Sequence, residues 1–469
     1  MDKQKRHHRK KALAVLSAVF VSCGAAGADL FVAPGGSGTG CSITAPCSLQ
    51  TALSSAVDND VIFMKTGTFT GSGTEVIKVT KDLSIFGGWD GLNTLPPHLD
   101  PVNTPTVIDA EGARRGLDIN GSITVQISGL SVKDGNASGL LGYSYYGDYD
   151  AGGGIYVNGA SGSISDCIIQ NSTSGKTSGS IGGGIALVGS TVTLSKNVIR
   201  NNIALTGAAL AVHKGSPVIE HNHVYQNSAL SGGGGGGMYI FDSSSCTISK
   251  NIIEENNATL YGGGISAASA TVTIEGNMIM NNRTDNRGGA VRLWYGGNSL
   301  LLNNIIRDNF AGSEGSAIWS HGSNPIIEHN TVVNNTGGDG SGVYLDETSN
   351  GSVINTIIAG HTLGITVAAG GSVDLNGTLW GNGVWANGAD TGGAGTVNLG
   401  TNNITGNPAF KDPANGDYHI TGVSAAVNAG IVTNVTEDID GDPRPRNGGY
   451  DIGADEIGVI LAPIYYLLD

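Results

Sequence analysis

Aromatic side chains recur at one position of a repeating unit in this sequence, next to polar side chains. Aromatic residues make up only 6% of the 469 residues, so their concentration on one face needs an explanation. Flat rings with polar groups nearby suit stacking on the faces of sugars. The alternative is that tyrosine simply favours strands and covers sheet edges. We predict a ligand-binding face that carries Tyr239, Arg292, Trp294, Tyr295, Trp319, His321 and Tyr344.

Catalysis on this face would need further groups that the sequence does not place there. Ser320-His321-Gly322 resembles the Ser-His-Gly motif of polygalacturonases, but inverting hydrolysis also takes two carboxylates at a set separation. The preceding repeat has Trp294 and Tyr295 at the matching place. A calcium-dependent lyase would need clustered acids beside a base, and Arg287, Arg292 and Asp285 are the nearest candidates. We therefore predict no catalytic residues, with a polysaccharide lyase or glycoside hydrolase as the alternative.

Carboxylates offer two further interpretations. Asp242, Asp346 and Glu347 lie beside the aromatic positions and are suited to accept hydrogen bonds from sugar hydroxyl groups or to hold calcium for an anionic glycan. Asp438, Asp440 and Asp442 have the spacing of a calcium loop, so we name them as candidate metal ligands. Glycine falls at the fourth place instead of the sixth, which fails the EF-hand template and favours a structural turn. Ca²⁺ is the one cofactor that the sequence suggests.

The N-terminus has the composition of an export signal. Six Lys and Arg residues precede an apolar run at residues 12–21, and Ala26-Gly27-Ala28 fits a cleavage site. Removing residues 1–28 leaves 18 basic and 38 acidic side chains, a net charge of −20. A surface this acidic repels nucleic acid and anionic polymers unless cations intervene. An exported chain can oxidise Cys41 and Cys47, which lie six residues apart, so we predict a disulfide between them.

A repeat between residues 151 and 380 predicts the fold. Each unit opens with a Gly-rich corner and an apolar residue, as at Ile155, Ile185, Leu210 and Met238, and recurs after 22 to 30 residues. A second signature, Asn-x-[Ile/Val]-x-x-Asn, follows in each unit, as at Asn197. One coil cannot bury its own apolar residues, but stacked coils form one continuous core. We expect the asparagines to adopt left-handed corners and to form amide ladders between coils.

The sequence thus predicts an all-β, single-stranded right-handed parallel β-helix with three strands per coil. Residues 49–57 have helical spacing and small side chains on one face, which predicts a helix capping the open N-terminal end. The remaining cysteines, Cys167 and Cys246, fall inside strand patterns and are expected to be buried.

Three segments carry a resemblance to a known family. They are the run CSLQTALSSAVDNDVIFMKTGTFTG, the Gly-rich coils, and the C-terminal segments NPAFKDPANGDYHITGVSAAVNAG and DIDGDPRPRNGGYDIGADE. Together they resemble bacterial β-helix surface proteins that end in a choice-of-anchor Q domain. The coils are also similar to the repeats of chlamydial polymorphic membrane proteins. The resemblance implies a pectin-lyase-like superhelix displayed outside a bacterial cell, and it implies no particular reaction.

These observations give the following expected organisation and function. We predict a non-catalytic secreted or cell-surface protein that binds an extracellular polysaccharide or a host or cell-surface glycan. It would contact no nucleic acid and have no transmembrane segment after processing. A structural envelope spacer is a further alternative. The predicted regions are a signal peptide at 1–28, an N-terminal cap with the first coils at 29–135, a Tyr-rich insertion loop at 136–150, central repeats at 151–380, and the last coils with the choice-of-anchor-Q-like region at 381–469.

Overall fold

The computed structural model describes residues 27–144, 148–175, 179–230, 232–243 and 245–458. The chain divides into two compact units, the first ending at Thr271 and the second beginning at Val272. Both units are parallel β-solenoids, with about 13 turns among the described residues, so the all-β fold prediction is confirmed. The predicted signal peptide lies almost wholly outside the described residues, and the region boundaries stay predictions. Among the helices in the described ranges, none is long and apolar enough to cross a bilayer.

Each coil of the first unit visits three sheets in turn, numbered here in that order. Sheet 1 contains Glu75–Val79, Arg115–Asn120, Ile155–Asn158, Ile185–Val188, Leu210–His213, Met238–Phe241 and Ile265–Ala268. Sheet 2 contains Asp29–Val32, Asp60–Lys65, Leu83–Trp89, Thr124–Ser128, Ser161–Ser165, Thr193–Ser195, Val218–Glu220 and Cys246–Ser249. Sheet 3 contains Gly67–Phe69, Thr106–Asp109, Leu130–Lys133, Ile168–Gln170, Val198–Arg200, His223–Tyr225 and Ile252–Glu254. Two-residue strands follow sheet 3 at Ile203–Ala204, Ser228–Ala229 and Asn257–Ala258.

The second unit has the same order of sheets. Its sheet 1 contains Val291–Gly297, Ile318–Ser323, Ser341–Leu345, Leu363–Val367 and Ala389–Gly392. Sheet 2 contains Val272–Glu275, Leu300–Leu302, Ile326–Glu328, Asn350–Ile354, Ser372–Asn376 and Thr396–Leu399. Sheet 3 contains Met278–Met280, Ile305–Arg307, Thr331–Val333, Ile357–Ala359, Leu379–Gly381 and Ile404–Gly406. Short strands lie at Arg283–Thr284 and Phe310–Ala311, and 3-10 helices at Gly383–Trp385 and Pro413–Asn415.

The apolar residue that opens each repeat forms the core of sheet 1. Ile155 pairs with Ile185, which pairs with Leu210, and all three are fully buried. Because side chains alternate between the two faces of a strand, the residue after each of them lies on the outer face. Stacking like residues at the spacing of neighbouring strands, about 4.8 Å, gives every coil a partner for its buried side chains.

Two amide ladders run between the coils of each unit, as the asparagine pattern predicts. In the first ladder, Asn197 Nδ2 donates to Asn222 Oδ1 at 3.0 Å and to the carbonyl of Ile164 at 2.9 Å. The prediction of left-handed corners is displaced by one residue, because the residue before the asparagine adopts that conformation, as at Lys196 (φ 57°). The side chain is thereby turned inward, where its amide satisfies the backbone of the previous coil. The same contacts recur along Asn202–Asn227–Asn256, Asn277–Asn304–Asn330 and Asn282–Asn309–Asn335.

The N-terminal end of the first unit is covered as the sequence suggested. A helix, α1, runs from Leu49 to Ser55, and Ser48 Oγ caps it by accepting the Thr51 N–H at 3.1 Å. Leu49 and Ala52 are its buried residues. The sulfur atoms of Cys41 and Cys47 are bonded, with Cα atoms 4.5 Å apart.

The predicted tyrosine-rich segment contains a small antiparallel pair of strands. Two-residue strands at Tyr143–Ser144 and Asp148–Tyr149 pair in antiparallel fashion, whereas the sheets of the coils are parallel. Asp150 fixes this loop, because its carboxylate accepts the backbone N–H groups of Gly139 at 2.9 Å and Leu141 at 3.1 Å.

After its last coil, the second unit folds a C-terminal segment back over sheet 3. Strands Phe410–Asp412 and Asp417–Ile420 form an antiparallel hairpin. The apolar side chains of the segment pack on those that sheet 3 directs outward, so this outer face becomes a second core. The buried residues are Ile305, Val333, Ile357, Ala359 and Leu379 from sheet 3, and Phe410, Tyr418, Ile420, Ala426, Ile452 and Ala454 from the segment.

Candidate functional site

Neighbouring strands of sheet 1 in the second unit bring six of the seven predicted ligand-binding residues together. Arg292 pairs with Trp319, and Trp319 pairs with Tyr344 in the next strand. Trp294 pairs with His321, two residues further along the same strands. Because the residues before them fill the core, these side chains lie on the outer face. The name outer-face site is used below for Arg292, Trp294, Tyr295, Trp319, His321, Tyr344 and Asp346.

A hydrogen-bonded chain of three side chains crosses this site. His321 Nδ1 contacts a carboxylate oxygen of Asp346, and His321 Nε2 lies 3.2 Å from the Tyr295 hydroxyl. A carboxylate only accepts hydrogen bonds, so Nδ1 carries the ring proton and Nε2 accepts from the phenol. Asp346 is buried, whereas the Tyr295 side chain is 54% exposed. The chain therefore links a buried negative charge to a phenol that faces solvent.

Asp346 is held as a carboxylate by several donors. Its Oδ1 accepts the backbone N–H of Thr348 at 3.0 Å, the Thr348 hydroxyl at 2.9 Å and the Ser349 hydroxyl at 3.2 Å. Burial acts to raise the pKa of Asp346, but the hydrogen bonds from His321 and Thr348 outweigh it and lower the pKa. Asp346 is thus ionised at neutral pH and can stabilise a positive charge on the His321 ring.

The backbone is left-handed at Tyr295 and at Gly322, the residue that follows His321. Tyr295 adopts a left-handed conformation with φ 49°, which few residues other than glycine, asparagine and aspartate adopt. Gly322 is also left-handed, and a Cβ atom there would lie 2.5 Å from Cδ1 of the Tyr295 ring. Glycine at this position therefore makes room for the ring against the His321 strand, with the two ring centroids 5.0 Å apart.

Trp319 lies on the outer face but is not free to stack on a ligand. Its side chain is buried by its neighbours, although it points away from the core of the coil. The indole N–H donates to Glu314 Oε2 at 3.2 Å, and the His321 ring lies parallel to the indole at 5.7 Å. The sequence prediction assumed an accessible ring here. The structure instead gives Trp319 the role of fixing the His321 ring plane.

Two guanidinium groups supply local positive charge. Arg292 lies over the Trp294 ring at 4.9 Å and is only 7% exposed. Arg287 lies over Trp319 at 5.1 Å, pairs with Glu314 at 2.8 Å, and keeps 38% of its side chain exposed. Stacking on the indoles fixes the positions of both guanidinium groups. Arg287 is thus the more accessible of the two cations.

Tyr344 and Tyr239 differ in their surroundings. Tyr344 extends the outer-face site by one strand and is half-buried; burial, the largest cause, raises the pKa of its hydroxyl. Tyr239 belongs to the first unit, where its ring stacks on Phe241 at 5.8 Å and Phe241 stacks on His213 at 5.2 Å. We therefore describe Tyr239 separately from the site in the second unit.

The three candidate metal ligands in the C-terminal segment do not face one another. Asp438 is buried, and its Oδ1 accepts the backbone N–H groups of Asp440 at 2.9 Å and Asp442 at 2.8 Å. Asp442 pairs with Arg446 at 2.8 Å, and Asp440 lies 3.0 Å from His419 Nε2. The spacing thus builds a structural turn around Asp438. Asp440 is the member that meets other potential metal ligands, and these come from distant parts of the sequence.

Sequence reasoning missed Glu314 and Thr348 at the outer-face site. Both lie in corners with no repeat signature, Glu314 before its strand and Thr348 after Asp346. Glu314 accepts the indole N–H of Trp319 in its own coil. Thr348 Oγ1 accepts the backbone N–H of Gly322 in the preceding coil at 2.9 Å. Only the pairing of residues about 26 positions apart in neighbouring coils would have predicted these contacts.

The repeat that builds these strands matches a known family model. The model described as right handed beta helix region matches residues 115–305 and 230–379, which together are more than half of the chain. The chain belongs to the right-handed β-helix family. A comparison with curated proteins finds no match to this β-helix.

Two solved structures similar to this β-helix carry the names of polysaccharide lyases. The crystal structure of pectate lyase Pel9A has 14% sequence identity and a TM-score of 0.42, over 92% of this chain and 97% of that chain. The structure of the PL6 family alginate lyase AlyGC has 16% identity and a TM-score of 0.42, over 93% of this chain and 59% of that chain.

Proposed function

We propose that the outer-face site binds a uronate-containing polysaccharide and cleaves it by β-elimination. The observation that carries this proposal is the chain from Asp346 through His321 to the exposed phenol of Tyr295. The buried carboxylate of Asp346 orients the His321 ring, and His321 can take the proton of the solvent-facing Tyr295 hydroxyl. Proton abstraction from a substrate needs a base positioned in this way. This proposal takes up the alternative that the sequence left open, in place of purely non-catalytic binding.

The chemistry balances with the groups of this chain alone. The Tyr295 proton moves to His321 Nε2, and Asp346 stabilises the imidazolium. The Tyr295 oxygen then removes the proton from the sugar carbon next to the carboxylate. The electrons of that C–H bond form a carbon–carbon double bond as the glycosidic C–O bond breaks. Tyr295 keeps the sugar proton, and the His321 imidazolium gives its Nε2 proton to the leaving oxygen, which restores both side chains. The step is redox-neutral and yields an unsaturated uronate.

Local positive charge supports an acidic substrate despite the acidic chain. Arg287 is 38% exposed beside the site and can pair with a substrate carboxylate in exchange for Glu314. Neutralising that carboxylate makes the neighbouring C–H bond more acidic, which is what elimination requires. The net charge of −20 on the mature chain repels polyanions at long range, so binding depends on close contact with Arg287; added salt weakens that contact and also screens the repulsion.

A second candidate is non-catalytic glycan binding, as on a secreted or cell-surface adhesin. The observation in its favour is that Arg292 lies over the Trp294 ring and is only 7% exposed. An arginine this buried stabilises the aromatic face and is poorly placed to contact a substrate carboxylate. Tyr295 and Trp294 would then present sugar-stacking surfaces without chemistry. Location outside the cell, a bacterial source and a choice-of-anchor Q region belong to this proposal and rest on the sequence patterns described above.

The two candidates predict different products. The mature chain is incubated with pectate, alginate and neutral polysaccharides, and ultraviolet absorbance of unsaturated uronates is followed. The lyase proposal predicts new absorbance with at least one uronate polymer and none with neutral polymers. Binding on a glycan array without new absorbance would overturn the lyase proposal and support the second candidate. New reducing ends without absorbance would indicate hydrolysis and contradict both.

A further inference from the structure

A cluster of metal-ligand side chains lies in the C-terminal segment of the second unit. One ligand atom each from His419, Asp440 and Asp455 lies within 4.8 Å of the other two. His419 comes from the hairpin strand Asp417–Ile420, and the two acids come from the irregular chain that follows. Asp440 is one of the three acids that the sequence named, and its companions here are different from Asp438 and Asp442.

The histidine is oriented as a metal ligand would be. Asp417 Oδ1 lies 2.5 Å from His419 Nδ1, so Nδ1 donates to it and Nε2 faces the cluster. A carboxylate on the far nitrogen is the usual outer support of a metal-binding histidine, because it fixes both the tautomer and the ring plane. Lys411 Nζ holds the other oxygen of Asp417 at 3.4 Å.

The near side of the ring has no well-directed hydrogen bond. His419 Nε2 is shielded from solvent and lacks a hydrogen-bond partner of acceptable geometry. Asp440 Oδ2 is 3.0 Å from that nitrogen, but the direction of the ring N–H misses this oxygen. A cation bound by both atoms would provide each with a partner, and no hydrogen bond between the two would be needed.

Charge at the cluster also calls for a cation. Three carboxylates, from Asp417, Asp440 and Asp455, surround one imidazole. Asp455 Oδ2 accepts the Ile420 N–H at 2.8 Å, which holds the group in the cluster.

We propose that His419, Asp440 and Asp455 bind one Zn²⁺ ion that fastens the C-terminal segment. Zinc takes nitrogen and carboxylate ligands in tetrahedral sites, with ligand atoms about 3.4 Å apart, whereas calcium takes six or more oxygens. Asp440 is exposed, so its side chain can rotate to bring its oxygen from 3.0 Å to the required spacing from His419 Nε2. The ion joins the hairpin to the turn at Asp438 and to the end of the segment. This site is independent of the outer-face site and of its proposed reaction.

The test is zinc binding to tag-free mature protein after dialysis against a chelator. Calorimetric titration should show one Zn²⁺ per chain with a Kd below about 10 µM, and zinc should raise the unfolding temperature. His419→Gln and Asp455→Asn should each weaken binding at least about 100-fold and abolish that rise. Asp417→Asn should weaken binding about 10-fold, as the loss of an outer support does. Co²⁺ should give visible absorbance that changes in Asp440→Asn.

Matched controls separate this site from adventitious binding. His221→Gln removes an exposed histidine of the first unit, and Asp442→Asn removes a neighbouring acid paired with Arg446. Both should bind zinc like the unaltered chain. The proposal is overturned if zinc does not bind, if Ca²⁺ binds in preference to Zn²⁺, or if Asp442→Asn loses zinc as fully as His419→Gln. None of these outcomes depends on polysaccharide cleavage.

Discussion

The outer faces of sheets 1 and 3 in the second unit have the same strand geometry and opposite chemistry. Sheet 3 directs Ile305, Ile357 and Leu379 outward, and the C-terminal segment covers them completely. Sheet 1 directs Arg292, Trp294 and His321 outward, and these contact one another through stacking and hydrogen bonds. The apolar face is completed by its own chain, whereas the other remains polar and carries a partly exposed phenol.

With the proposed function, the difference between the two faces assigns stability to sheet 3 and activity to sheet 1. An apolar outer face gains free energy when the chain covers it, at about 25 cal/mol for each Å² removed from water. A face of charges and hydrogen bonds gains little from such cover, because its polar groups would lose water. We therefore expect substitutions on sheet 3 to change stability and substitutions on sheet 1 to change activity.

The largest expected effect is on cleavage, from the middle member of the hydrogen-bonded chain. His321→Gln removes the base between Asp346 and Tyr295, and the rate of polymer cleavage should fall about 10²- to 10⁴-fold. The free energy of unfolding should fall by no more than about 1–2 kcal/mol, because the Gln amide can donate to buried Asp346 in place of Nδ1 and the His321 side chain fills no core space. His221→Gln is the matched control and should retain full activity. A large loss of stability in His321→Gln, with activity per folded molecule unchanged, would erase the distinction between the two faces.

The next effect is on stability, from the apolar face. Leu379→Ala leaves a cavity under the C-terminal segment, and the free energy of unfolding should fall by about 2–5 kcal/mol. Leu399→Ala, at an exposed leucine of the same unit, should cost less than about 0.5 kcal/mol. Denaturant unfolding measures both. If Leu379→Ala also slowed cleavage per folded molecule, the two faces would be coupled.

The smallest effect concerns the pH dependence of stability at Asp346. The pKa of Asp346 is lowered in the folded chain, so its charge stabilises the fold above the unfolded value of about 3.9, and this contribution disappears as pH falls through the folded value. Asp346→Asn should therefore be less stable than the unaltered chain by about 1–3 kcal/mol near pH 7. The gap should narrow as pH falls below the unfolded value and through the lowered folded pKa of Asp346. A gap that stayed constant over this range would show that the carboxylate charge contributes nothing.

The coils were predictable from the sequence because each repeats the same local pattern. The openers Ile155 and Ile185 are paired as the repeat spacing implies. The first coil has no asparagine at the ladder positions: Cys167 and Ser172 lie there, and their backbone N–H groups donate to Asn197 Oδ1 at 3.0 Å and to Asn202 Oδ1 at 2.9 Å. The left-handed corner accepts several residue types. In the first coil, the side-chain pattern alone therefore does not show which residue occupies the corner and which the ladder position.

The sites were predictable only where the repeat extends to them. Tyr295 and His321 share a face because the register repeats, but their link to Asp346 depends on the exact corner after a later strand. His419 and Asp455 lie in a segment without repeats, where contacts depend on tertiary packing. Local spacing suggested Asp438 and Asp442 as the neighbours of Asp440 and carried no signal for its proximity to His419 and Asp455.

The central claim is that Tyr295 of the outer-face site is the group that takes a proton from a uronate polymer. The most direct measurement is the rate of unsaturated-uronate formation by the mature chain and by Tyr295→Phe, which keeps the ring beside Gly322 and removes only the hydroxyl. We predict that Tyr295→Phe binds the polymer with unchanged affinity and cleaves it at least about 100 times more slowly. Equal rates for the two proteins, or no cleavage of any uronate polymer by the unaltered chain, would contradict the claim.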